Sequence, residues 1–223
     1  MSLKNIIDNT HETRLVSIIN ESISKSNKES VTLATENLSI NEIFRASKFS
    51  GLSSSYTDII LDNRTRKPFN ISLENSDSEF ILKTDAKGLN LIYPGILIKF
   101  INEVKRNLKE GADVTSFSGK IPKIAAQRLM KGITVLGGPV DFYLFDTPKL
   151  DYEFYKEDRT VFLKNAYFQT PDEIAAEKSF YLKFSSSTQT ILKNLNENRV
   201  DLIKHDIQIV QEISDDSKMI NIV

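Results

Sequence analysis

The chain has 223 residues, 40% of them hydrophobic and 26% charged, a composition that excludes collagen-like, fully disordered and membrane-spanning classes. Its 29 Lys+Arg against 30 Asp+Glu leave a net charge of −1, so no global field draws it onto nucleic acid or acidic lipid and any such attraction is local. Zero cysteines exclude a disulfide framework, a thiol nucleophile and a Cys-ligated zinc, and two histidines, His11 and His205, are too few for a His-rich metal centre.

The opening MSLKNIIDNTHETRLVSIIN has neither an apolar signal core nor a small-residue cleavage site. No run of about 18 apolar residues follows. The expectation is a chain neither secreted nor membrane-embedded, in an intracellular or virion-interior setting. Ile6, Ile7, Leu15, Ile18, Ile19 and Ile23 recur at three- and four-residue steps, and Thr10 with Glu12 and Thr13 offers a start signal, which predicts a helix near 10–25. After the polar SKSNKES, VTLAT reads as a short strand. SINEIFRASKF, with Ser39 followed by Glu42, reads as a capping box opening a short helix. Tyr56–Leu61 is an apolar strand, Asp62–Pro68 is turn chemistry, and Phe69–Glu74 alternates as a second strand, which together predict a hairpin.

Further on, Ile98, Ile101, Val104 and Leu108 follow a proline-interrupted apolar run at helical spacing. IPKIAAQRLMK, near 121–131, predicts another helix, with Pro122 near its first turn where proline costs least. From Gly137 onward VDFYLFD, LDYEFYK, TVFLKNAYF and SFYLKFSS are aromatic and β-branched segments that predict a β-meander. Their aromatic side chains serve either a sheet core or the stacking of bases. QTILKNLNENRVDLIKH returns to helical spacing, and ISDDSKMINIV reads as a loosely held acidic tail. The expected fold class is α+β, a central mixed sheet flanked by helices, in one domain with a core half over 1–135 and a β-rich half over 136–223.

Glu12 on the first helix, Asp58 in the first hairpin strand and Glu74 at the end of the second form an oxygen-only set of the kind magnesium prefers. Strand alternation brings Asp58, Ser72 and Glu74 toward a common site, where a metal activates water for phosphodiester attack. The alternative is that Asp58 begins a strand, Glu74 is a solvated strand end and Glu12 only favours the first helix turn. A second feature is basic: Lys105, Arg106, Lys109, Lys120, Lys123, Arg128 and Lys131 face Glu103, Glu110 and Asp113 for a local +4, a candidate phosphate-facing surface or a pair of solvated helix faces.

TDIILDNRTRKPFNISLE resembles the central hairpin of the PD-(D/E)xK nuclease superfamily, in which an Asp opens one strand and a (D/E)-x-K signature closes the next. ETRLVSIINESI resembles the helix segment that precedes it, and ISLENSDSEF is similar to the ISLK-type strand of restriction-endonuclease-like proteins encoded by bacteriophages. The resemblance covers residues 8–110. It implies a restriction-endonuclease-like core with extra C-terminal strands and a magnesium-dependent endonuclease, with Asp58 and Glu74 as metal ligands, Glu12 assisting and the seven basic residues on the DNA backbone. The sequence departs from the pattern at two positions. Ser72 stands where the family has an acid, and Glu74 stands where it has the lysine that orients the attacking water. The resemblance therefore leaves two readings open, an active DNA nuclease and a catalytically inactive virion or assembly protein that keeps the fold as a scaffold. Either implies the host cytoplasm or the virion as location, DNA or assembly proteins as partners, no membrane, and a homo-oligomer.

Overall fold

The computed structural model describes residues 3–27, 29–50, 55–76, 82, 84–109, 116–147, 149–185, 207–213 and 216–222, with the side chains of 3–10 and 109 outside that description. The helical reading of QTILKNLNENRVDLIKH falls outside the described residues. The chain is α+β and divides into two compact units, one built from residues 1–81 and 131–171, the other from 82–130 and 172–223.

The first unit holds α1 (Leu3–Lys25), β1 (Val31–Ala34), β2 (Ser39–Lys48), β3 (Ile59–Asn63) and β4 (Phe69–Asn75). The second opens with α2 (Ala86–Ile92), α3 (Ile96–Lys109), β5 (Ser116–Lys120) and α4 (Lys123–Lys131). The chain then supplies β6 (Phe142–Asp146), β7 (Tyr152–Tyr155), β8 (Thr160–Leu163) and β9 (Tyr167–Gln169) to the first unit. It ends with α5 (Pro171–Glu177), β10 (Tyr181–Ser185), β11 (Ile207–Val210) and β12 (Lys218–Ile220).

Eight strands of the first unit form one mixed sheet in the order β7-β8-β1-β2-β3-β4-β6-β9. The β1–β8 and β4–β6 pairs are parallel and the others antiparallel. The expected division at 135 does not follow this sheet, because β6 lies beside β4 and β8 lies beside β1. The four later segments are consequently no meander. β6 and β9 extend one end of the sheet, β7 and β8 the other, and β10 belongs to the second unit. The core lies on the α1 side. Leu15, Ile18, Ile19 and Ile23 of the helix pack with Ile43, Ala46, Ile59, Leu61, Ile71, Leu144 and Phe168 of the strands. Removal of these apolar side chains from water is the main source of stability for such a layer, at roughly 1.5–3 kcal/mol per fully buried Leu, Ile or Phe.

Three sequence expectations are corrected here. SINEIFRASK is strand β2 rather than a helix. The register against β1 shifts between Val31 and Leu33, the register against β3 shifts between Ile43 and Arg45, and Glu42 has φ +60°. Each extra residue at a bulge moves the next inward side chain along by one. Ile40, Ile43 and Ala46 therefore point inward at three-residue steps and imitate a helical period. The first helix begins at Leu3 rather than near Thr10, because the apolar spacing of Ile6 and Ile7 continues backward through the start signal. TPDEIAAEK, the polar stretch between TVFLKNAYF and SFYLKFSS in the expected meander, forms helix α5, whose first turn carries Pro171, Asp172 and Glu173.

In the second unit a four-stranded sheet runs β11-β10-β5-β12. Phe117, Leu182, Phe184 and Ile220 are buried, and a Cβ on Gly119 would meet Phe100 of α3 at 3.1 Å. The acidic C-terminal stretch is not a loose tail, since β12 pairs in parallel with β5 through Lys218–Phe117, Met219–Ser118 and Ile220–Gly119. Among the described residues, no helix is long and apolar enough to cross a membrane.

Candidate functional site

The parallel register of β4 with β6 sets Ser72 beside Tyr143 and Glu74 beside Phe145. Ile71 and Leu144 belong to the core under α1, so alternation turns Ser72, Glu74, Tyr143 and Phe145 to the opposite face of the sheet. Asp58, at the bend that leads into β3, joins them there. Its Oδ2 accepts the Leu73 amide at 2.7 Å and the Ser72 hydroxyl at 3.3 Å. Its own amide donates to the Ile71 carbonyl and its carbonyl accepts from Phe49, both at 2.9 Å, so the backbone on either side of the carboxylate is held by neighbouring strands.

Around this pair the protein is largely closed. Ser72 and Tyr143 are buried, whereas Asp58 and Glu74 are half-buried. Burial first, and then Tyr56, Glu74 and Asp58, push the Tyr143 phenol well above its ordinary value. Tyr143 is thus a neutral hydrogen-bonding group at pH 7 that feels the charge of both acids. Beside it the Tyr56 ring leaves no room for a side chain at 132, where a Cβ on Gly132 would come within 2.7 Å of it. The row continues outward through Phe145, which stacks on Tyr167 at 4.9 Å between ring centroids and 6° between planes.

The third acid of the expected site does not reach this face. Glu12 lies on α1, and its Oε2 pairs with Lys48 Nζ at 2.9 Å on the helix side of the sheet. Among the described residues, no group of three His, Asp or Glu side chains converges as a metal-binding cluster. Asp58 and Glu74 are brought together, and Glu12 is held apart from them by the thickness of the sheet.

His11 and Asp146 meet on the α1 side, where the sequence pattern assigns no site. Asp146 ends β6 buried at 1% exposure, with the Thr147 amide donating to Oδ1 at 2.6 Å and His11 Nε2 standing 3.8 Å from Oδ2. Nothing in the local pattern of VDFYLFD signals this, because the proximity of residues 11 and 146 arises from the packing of α1 over β6. Tyr143 was legible only as an aromatic strand residue. Its position beside the two acids comes from the parallel β4–β6 pairing, whose strands are far apart in the chain.

The basic residues are dispersed over several elements. Lys105 is half-buried and Arg106 exposed on α3, with Arg106 Nη2 paired to Glu103 Oε2 at 2.6 Å within the helix. Lys109 ends α3 with its side chain outside the described residues. Lys120 is exposed at the end of β5, and Lys123 and Arg128 are exposed on α4, the Arg128 guanidinium lying 5.8 Å from the centroid of the Tyr93 ring. Lys131, the last residue of α4, is exposed and opens the returning segment of the first unit. Of the aromatic run, Tyr143 and Phe168 are buried in the sheet, while Tyr155 and Tyr167 are exposed at 47% and 40%. No family model, curated protein or solved structure matches this chain.

Proposed function

We infer that the Asp58–Ser72–Glu74 hairpin is a nuclease-type site that binds a single magnesium ion and cleaves phosphodiester bonds of DNA. The observation that carries this reading is the convergence of Asp58 and Glu74 on one face around Tyr143, which senses the charge of both. An all-oxygen donor set suits a hard cation. When bound there, such an ion supplies a water made acidic enough to attack phosphorus and offsets charge developing on the phosphate. The chain's own residues do the positioning. The Leu73 amide and the Ser72 hydroxyl orient the Asp58 carboxylate. Glu12, paired with Lys48, takes no part.

A specific observation favours a second reading, a non-catalytic virion or assembly protein on the same fold. Asp58 Oδ2 already serves as acceptor for two donors of β4, the task of an acid that closes a hairpin. Titration calorimetry with magnesium and manganese, run beside a plasmid-nicking assay, separates the two. Metal uptake and nicking that both disappear in Asp58→Ala and Glu74→Ala support the nuclease. Neither activity in folded wild-type protein refutes it and leaves the assembly role.

A further inference from the structure

We propose that the outward face of α4, together with Lys120, is a docking surface for the phosphate backbone of nucleic acid. The proposal rests on the reading of a DNA-acting site and adds to it a backbone-binding segment outside residues 8–110. Between Ser116 and Met130 the chain carries Lys120, Lys123 and Arg128 and no Asp or Glu, in a protein whose net charge is −1. The helix separates its residues cleanly. Ala125, Ala126, Leu129 and Met130 are buried, while Lys123, Ile124 and Arg128 are exposed with Gln127 half-buried between them. Lys123–Gln127 and Ile124–Arg128 are four apart, so the four side chains form one continuous patch.

Neutralisation distinguishes this patch from the other basic stretch. On α3 the Arg106 charge is met by Glu103 within the same helix. Among the described residues, Lys120, Lys123 and Arg128 form no ion pair, and Arg128 instead lies over the Tyr93 ring. That placement holds the guanidinium outward at little entropic cost while leaving its donors to a phosphate. A lipid surface fits less well. Interfacial helices bury a broad apolar face in the bilayer, and the apolar face of α4 is already buried, leaving Ile124 at 51% exposure as its exposed large apolar residue. A polyanion with charges at regular intervals and sugar surface between them matches cations interrupted by Ile124 and Gln127.

The test is fluorescence anisotropy of the full chain with a short fluorescein-labelled DNA duplex in EDTA, so that neither metal nor cleavage enters. Three phosphate contacts give a salt slope of about −2.7, hence roughly 40-fold weaker binding between about 50 and 200 mM salt. In Lys123→Gln/Arg128→Gln, with an unchanged circular dichroism spectrum, the slope should become shallower by about 2 while Lys156→Gln, exposed on the β7–β8 turn, leaves it as in wild type. Absent binding, or a slope unaltered in the double variant, overturns the proposal. Binding to phosphatidylserine vesicles that is as salt-sensitive as duplex binding, and equally lost in the double variant, also overturns it in favour of an anionic membrane surface.

Discussion

Replacing Asp146 by Asn should stabilise this protein near neutral pH and leave it unchanged in acid. The carboxyl is 1% exposed, and burial raises it from 3.8 to about 6, with Arg14 and the Thr147 amide acting downward and Asp151 upward. At about 1.4 kcal/mol per pH unit, that rise corresponds to roughly 3 kcal/mol. The folded state holds the proton more tightly than the unfolded chain. The contribution is therefore fully favourable below about pH 4, is lost as pH rises toward about 6, and stays lost above it. An amide keeps an acceptor for the Thr147 N–H and removes the buried charge, so Asp146→Asn should gain up to about 3 kcal/mol near pH 7 and nothing near pH 4. The His11 imidazole, 3.8 Å from Oδ2, opposes this gain while protonated, which makes the figure an upper bound. Urea unfolding of both proteins across that range measures the difference directly, because titrations elsewhere cancel between them. A variant less stable than wild type near neutral pH would refute the reasoning and show that the pair with His11 outweighs the cost of burial.

Two asparagines substitute for missing strand partners, and their alanine variants should each lose about 1–3 kcal/mol in thermal melts. Asn37 gives Nδ2–H to the Phe168 carbonyl at 2.7 Å and accepts the Phe168 amide at 3.0 Å, while Asn20 of α1 does the same for Ala46 at 2.8 and 3.0 Å. Asn37→Asp should recover only part of the loss, since it accepts but cannot donate. Gly132→Ala should cost about 1–3 kcal/mol by chemical denaturation, because it forces a Cβ against the Tyr56 ring at a φ of +71°. Leu144→Ala, fully buried under α1, should cost about 2–5 kcal/mol in the same assay without altering duplex binding through α4.

Local pattern was sufficient where neighbours in sequence are also neighbours in space. The β3–β4 hairpin follows from two apolar runs flanking Asp62–Pro68, β1 follows from VTLAT, and α3 and α4 follow from their apolar periods. Alternation also brought Asp58 and Glu74 toward one place, since a hairpin of known turn leaves little freedom in which side chains meet. Pattern misled at β2, where bulges spaced Ile40, Ile43 and Ala46 like a helix, and at the C-terminus, where polar residues hid a strand. A short edge strand such as β12 buries little and needs only a partner backbone, so composition carries no trace of it.

What the amino-acid sequence determined by itself is the α+β class, most of the element list and the two acids on the hairpin. The tertiary structure alone decided that β6 pairs with β4, that β8 pairs with β1, and that Glu12 belongs to the other face from Asp58 and Glu74. It likewise decided that Asp146 is buried against His11. The reason is physical. Hydrogen bonding and side-chain alternation within a segment depend on adjacent residues, but parallel pairing and helix-on-sheet packing are chosen by the joint burial of apolar surface from distant parts of the chain.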